Sequence, residues 1–290
     1  MKIFITGAGG FVGRQLLERL ADDGRIAKIY SLCRRKTDAL PSVVSVVEGS
    51  LETLGSTENI DADVCIHLAA VTNSAKTDDE EVFRVNEKGT AEVVAFCKRN
   101  NIGRIIFLSS VNVYLSEKQA YAKSKLAAEE HIKNSGLEYS IFRCSLVYGK
   151  GCQSFEKIIK TAKLFHIVPV AGNGKATEQP IYTDEVCDAV IDSIFYDSGN
   201  KICGLYGKTK MTYNEMVMKI ADANGCRVKL LHLPEKPLRI IASVCYRNSL
   251  PFPMLPEQIS HMCEDLGCDD DGVIPSSAVE FSENLKKYIR

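Results

Sequence analysis

The chain has 290 residues, enough for one large α/β domain or a domain with a smaller lobe, and its 45% hydrophobic and 25% charged residues are ordinary for a globular protein. A formal net charge of −1 without a long basic tract argues against nucleic acid or an anionic membrane as partner. No apolar run approaches the roughly 18 to 20 residues of a membrane span.

Lys2 to Ile5 reads as a strand rather than a signal peptide, because it meets glycines too soon. It breaks at Thr6 into Gly7-Ala8-Gly9-Gly10-Phe11-Val12-Gly13, after which Leu16, Leu17 and Leu20 mark one face of a helix. Strand, glycine turn and helix is the arrangement that sets a pyrophosphate on a helix N-terminus. In that reading Gly7 permits the turn, Gly10 lets backbone approach the phosphates, and Gly13 lets helix and strand pack closely. Further strands follow at Ile26 to Cys33, Val43 to Val47, Val64 to Leu68 and Arg104 to Leu108. Between the last two, Asn86 to Arg99 carries Val93, Val94 and Cys97 at helical spacing. Another helix closes at Asn134-Ser135-Gly136, with Gly136 at C′, before a sixth strand at Leu137 to Phe142. This alternation predicts an α/β fold with a Rossmann-type doubly wound parallel sheet, covered on both faces, whose ligands bind beyond the carboxyl ends of the strands.

From about residue 150 the pattern changes, and residues 151–290 read mainly as a small C-terminal substrate lobe. Residues 1–150 form the dinucleotide-binding part, with parts of 181–207 returning to it. Thr212 is placed to cap a helix over Tyr213 to Ala223, and Arg247 to Pro256 reads as irregular surface. Arg239 and Arg247 are the only phosphate-contact candidates of this lobe, and a bland surface role fits both as well. Most of the eleven cysteines sit inside apolar patterns, and none has zinc-ligand spacing. Free thiols in a reducing cytoplasm, with no metal, are expected.

The chemistry-bearing residues fall in two places. Arg104 to Leu108 delivers Ser109 and Ser110 at the carboxyl end of a strand. Tyr121 and Lys125, four apart, share one face of a helix. A phenol titrates near ~10 and is a poor proton carrier at neutrality, but a neighbouring ammonium stabilises the phenolate. Tyr121 then serves as acid or base, and a serine hydroxyl hydrogen-bonds the substrate oxygen. The second strand ends Ser31-Leu32-Cys33-Arg34-Arg35-Lys36, with cations and no carboxylate. Contacts from Arg34 and Arg35 to a ribose 2′-phosphate favour NADP(H), with NAD(H) the alternative. His67, on a buried-type strand end, reads as packed rather than catalytic.

Taken together, these residues resemble the short-chain dehydrogenase/reductases, in the extended or atypical branch of NAD(P)-dependent epimerases and dehydratases. Thr6 to Gly13 fits TGxxGxxG, and His67-Leu68-Ala69-Ala70 resembles HxAA. Asn86 with Gly89-Thr90 resembles NxxGT, and Ser109 to Tyr114 resembles SSxxVYG with Leu115 where glycine is usual. Arg143 to Gly149 is similar to RPxxVYG, and Pro180 to Val186 to PxHVDDV. The resemblance implies Ser110, Tyr121 and Lys125 as the catalytic triad. It implies that Thr6, Gly7, Gly10, Phe11, Val12, Gly13, Leu68, Ala69, Ala70, Asn86, Tyr121 and Lys125 hold the cofactor, and that Ser110, Val111 and Arg143 face the substrate, with a structural salt link the alternative for Arg143. A nucleotide sugar and a homodimer are implied as partners. Three departures stand against a standard site: only eleven positions from Ser110 to Tyr121, Cys144 for the usual proline, and Ser50 where an Asp often meets adenine. The expected activity is that of an epimerase or dehydratase. The alternatives are an NADPH-dependent carbonyl reductase and a non-catalytic dinucleotide-binding accessory or regulatory protein.

Overall fold

The computed structural model describes residues 1–34, 41–57, 59–71, 78–196, 198–248, 250, 252, 254–267 and 272–288. Arg35 lies outside them. In chain order the elements are β1 (Lys2–Thr6), α1 (Phe11–Asp22), β2 (Lys28–Cys33), β3 (Val44–Glu48), β4 (Val64–His67), α2 (Asp79–Phe83), α3 (Gly89–Arg99), β5 (Arg104–Ser110), α4 (Ala120–Lys133) and β6 (Glu138–Cys144). There follow β7 (Val147–Tyr148), α5 (Gln153–Phe165), β8 (Ile167–Ala171), β9 (Thr177–Glu178), β10 (Ile181–Tyr182), α6 (Thr183–Tyr196) and β11 (Lys201–Leu205). The chain ends in β12 (Met211–Thr212), α7 (Tyr213–Ala223), β13 (Lys229–Leu233), α8 (Glu235–Arg247), α9 (Pro256–Cys263), β14 (Gly272–Val273) and α10 (Phe281–Tyr288).

Eight strands form one sheet in the order β14-β11-β6-β5-β4-β1-β2-β3. β1 lies between β2 and β4, parallel to both, with Ile3 against Ile29 and Val64. Ile3, Phe4 and Ile5 are all fully buried, because helices cover both faces of a parallel sheet and a central strand has no polar side to show. The sheet is therefore of the doubly wound Rossmann type. Its strand order reverses between β1 and β4, which opens the crevice where such folds place their ligands.

The chain divides into two compact units. The first comprises Met1–Ser110, Ala120–Arg143 and Val186–Cys203; the second comprises Val111–Gln119, Cys144–Glu185 and Gly204–Arg290. A core of Phe4, Phe96, Phe107, Ile105 and Ile141 fills the first. In the second, Tyr148 stacks on Phe155 at 5.2 Å and meets Phe281 at 5.0 Å, beside Met216 and Ile220 of α7.

The expected strands are met to within about two residues at their ends, and three further local differences from the sequence reading bear on the site. The helix expected from Asn86 begins as a wide π turn over Arg84–Lys88, and α3 starts only at Gly89. β5 runs through Ser110, so both serines are strand residues. β4 stops at His67, after which Leu68 donates its N–H to the Thr6 carbonyl at 3.1 Å and the chain turns away. Thr212 caps α7 as expected, in a reciprocal box with Glu215. Gly136 takes φ +78°, the left-handed conformation that ends a helix.

Candidate functional site

The site is assembled in the first unit from the carboxyl ends of β1, β4 and β5 and the start of α4. Gly7 turns the chain off β1 at φ +76°, and a Cβ there would stand 2.5 Å from the Ala69 nitrogen, so the loops after β1 and β4 are in contact. A Cβ on Gly13 would lie 2.1 Å from the Gly7 carbonyl oxygen, which seats α1 tightly on the turn. Gly9 and Gly10 differ: a Cβ on Gly9 meets nothing within 4 Å, and one on Gly10 meets only the Gly7 oxygen at 3.1 Å. The protein's own packing does not ask for glycine at Gly9, whereas at Gly10 a Cβ would press on the Gly7 backbone. Gly10 caps α1 without a side chain, and the first-turn amides of Phe11, Val12 and Gly13 have no acceptor inside the helix. Open space beside uncapped amides at a positive helix end fits a phosphate.

Behind this turn runs a hydrogen-bond relay whose direction fixes every proton in it. The Thr90 hydroxyl donates to the Asn86 carbonyl at 2.5 Å, so it accepts from His67 Nε2 at 2.9 Å. His67 Nδ1 then carries no proton and accepts from the Thr6 hydroxyl at 2.7 Å. Thr6 Oγ1 in turn accepts from the Ala69 N–H at 3.4 Å. His67 is fully buried; that burial, reinforced by the charge of Lys125, holds its pKa down to about 3, so the ring is neutral. Its role is to hold the Leu68-Ala69-Ala70 loop on the glycine turn, by polar bonds that an apolar residue could not make. Asn86 takes the next step: its side chain bonds both the amide and carbonyl of Val71 and donates to Ser124 Oγ at 3.0 Å. Ser124 donates to the Tyr121 carbonyl at 2.8 Å.

α4 supplies the remaining groups. Lys125 is buried, its Nζ 2.5 Å from the Leu108 carbonyl oxygen and 4.0 Å from the centre of the Phe107 ring. The ammonium thus reaches β5 two residues before Ser110. Tyr121 is half-buried one turn earlier, and Ser110 is half-buried at the strand end. One turn beyond Lys125 lies Glu129, a buried carboxylate that sequence reasoning passed over. Ser109 donates to it at 2.5 Å and the Arg143 guanidinium grips it with two nitrogens, Nη2 at 2.7 Å. The missed signal was the four-residue repeat Tyr121, Lys125, Glu129 on one helix face.

The other expected residues are placed less centrally. Arg34 is exposed directly after β2. Arg143 is in the salt link with Glu129. Val111 belongs to the second unit, buried with Leu115, Tyr206 and Leu266. Arg239 is paired with Glu117 at 2.8 Å, and Arg247 is exposed at the end of α8. Glu48, at the end of β3, pairs in register with Cys33 and sets a carboxylate beside the end of β2. Among the described residues no cluster of metal-ligating side chains occurs, no disulfide joins two cysteines, and no helix is long and apolar enough to cross a membrane.

Comparison with known proteins fits this arrangement. An uncharacterized protein of Mycobacterium tuberculosis is 27% identical over 204 residues, which are 67% of this chain and 21% of that protein. The chain thus spans about a fifth of the first curated relatives it matches. The ceramide reductase of Caulobacter vibrioides is 27% identical over 80% of this chain and 74% of its own. Among solved structures, the UDP-glucuronic acid 4-epimerase of Bacillus cereus, in complex with UDP-glucuronic acid and NAD, superposes with a TM-score of 0.71 at 19% identity, covering 99% of this chain and 98% of the epimerase. A model of the NAD dependent epimerase/dehydratase family matches residues 3–194, and the chain belongs to that family.

Proposed function

We propose that the protein is an NAD(P)-dependent oxidoreductase of the epimerase/dehydratase kind, acting at a hydroxyl or keto carbon, with a nucleotide sugar as the leading substrate class. The observation that carries this reading is the bond from Lys125 to the Leu108 carbonyl. It brings the Tyr121–Lys125 helix face to the strand that ends in Ser110, which supports the reading that the three act together.

In this reading the amides of Phe11, Val12 and Gly13 take the pyrophosphate, and Gly10 leaves it room. The Leu68-Ala70 loop lines the opposite wall. A dinucleotide bound there supplies hydride acceptance or return. Tyr121 holds or releases the proton of the substrate oxygen, the nearby ammonium of Lys125 stabilises its phenolate, and Ser110 donates a hydrogen bond to the same oxygen. Lys125, whose ammonium is bonded to the Leu108 carbonyl, is also the residue that would hold a cofactor hydroxyl. At the ribose, Arg34 favours a 2′-phosphate and Glu48 a 2′-hydroxyl.

Titration with NADPH and NADH, followed by nicotinamide fluorescence, tests the cofactor half. Preference for NADPH assigns the ribose to Arg34, preference for NADH assigns it to Glu48, and binding of neither overturns the proposal. For the chemistry, Tyr121→Phe should lower turnover about 10²–10⁴-fold while cofactor affinity stays. An unchanged rate would remove Tyr121 from the mechanism. The short segment between Ser110 and Tyr121 favours a second reading, a carbonyl reductase, which net consumption of NADPH by a keto substrate would identify.

A further inference from the structure

Helix α8 of the second unit is apolar on its outward face as well as its inward one. Its inward residues Leu238 and Ala242 are buried against Ala171 and Ile259, which is ordinary. Its outward face should be polar in a helix that meets only water. Instead Ile240, Ile241 and Val244 are 65%, 50% and 51% exposed and form one stripe at helical spacing. Exposed Lys236 and Arg247 border that stripe at its two ends, and exposed Leu250 extends it.

The same unit carries a second patch of this composition. Leu164 and Phe165 end α5 largely exposed, and Ile167 of β8 and Leu231 of the adjoining β13 add to them. Exposed Lys160 and Lys163 stand next to the first pair, and Lys229 pairs in register with Ile167. The elements bearing the two patches, α5, β8, β13 and α8, hold seven Lys or Arg against two Glu, Arg239 among them being paired with Glu117, although the whole chain balances to −1. The near-neutral total conceals two apolar patches rimmed by cations.

We propose that the outward face of α8 in the second unit docks on an anionic lipid surface. Aliphatic and aromatic side chains rimmed by lysine and arginine suit the boundary of a bilayer, where the apolar groups enter the acyl region and the cations stay with the headgroups. Nucleic acid would leave Ile240, Ile241 and Val244 without a partner. A second copy of the same face would bring like charges together. The inference goes beyond the proposed reaction and does not depend on it.

Sedimentation of the full chain with vesicles tests it. With phosphatidylcholine vesicles carrying phosphatidylglycerol the protein should pellet, more weakly as salt rises, and much less with phosphatidylcholine alone. The combined variant Ile240→Ser, Ile241→Ser and Val244→Ser should weaken binding about tenfold or more, and Lys236→Glu with Arg247→Glu should do so independently. Both change outward-facing residues, and retained circular dichroism and nicotinamide-cofactor binding would show that the fold survives. If the apolar variant does not fold, the charge-reversal pair still decides. Failure of the natural chain to pellet with anionic vesicles, or undiminished pelleting of the variants, overturns the proposal. A dimer that the serine variant dissolves, without vesicle binding, assigns the face to a second copy and overturns it equally.

Discussion

Each unit holds a histidine inward, fully buried in the first and partly buried in the second, and the two are partnered in opposite ways. In the first, His67 is fully enclosed, neutral and held between two threonine hydroxyls. In the second, His261 Nδ1 lies 2.8 Å from the carboxylate of Glu178, which is 1% exposed. Burial pulls the His261 pKa down, but the Glu178 charge, helped by Glu257, outweighs it and the value rises. Hydroxyl partners cost nothing in charge and favour the neutral ring; a carboxylate partner favours the cation. The histidine of the first unit is therefore held in a relay of neutral groups, that of the second in an ion pair that must stay intact.

The largest expected effect falls on the first unit. Gly13→Val pushes a side chain into the Gly7 carbonyl, backbone against which nothing can yield, and should cost about 5 kcal/mol or more, seen as loss of the cooperative thermal transition. In the second unit, His261→Leu leaves a buried carboxylate whose Oε2 has no hydrogen-bond partner among the described residues. Removal of one member of a buried pair costs about 3–5 kcal/mol by denaturant titration.

The pH response sharpens the contrast. Unfolded, His67 takes up a proton near its ordinary 6.5; folded, it does so only near 3. Stability is lost as pH falls through that window, by ~2 kcal/mol between pH 7 and 5. His67→Gln, which can still donate and accept, should flatten this acid limb; an unchanged limb would show that the ring is not the titrating group. His261 has the opposite sign, its contribution full below pH 6.5 and lost as pH rises through the raised folded value. The smallest effect is Thr212→Ala, which opens the capping box of α7 at about 1 kcal/mol, readable as a shift in thermal midpoint.

The first unit was the more legible of the two. Its strands are continuous apolar runs and its glycine turn has a mechanism, so fold type and the positions of Ser110, Tyr121 and Lys125 could be read directly. His67 could be assigned to packing, but not to its relay, because Thr6 and Thr90 come to it from separate elements that only the fold brings together. Glu129 and Arg143 are 14 residues apart, and nothing local ties them. In the second unit, strands such as β7, β9, β10 and β12 have two residues each, too few to show an alternation. Its inward and outward sides were equally hidden: the stripe on α8 looks like an ordinary core face until Leu238 and Ala242 are seen to occupy the inside.

The relay through His67 also makes this ring a reporter. A neutral imidazole with its proton held on Nε2 gives the two nitrogens widely separated magnetic resonance signals, and a buried proton between two oxygen-bound neighbours exchanges slowly with solvent. Because Thr6 and Ala69 sit at one end of the same chain of bonds, any ligand that parts the loop after β4 from the glycine turn would be registered at those nitrogens. The ring would thus report on that loop from a fully buried position behind the glycine turn.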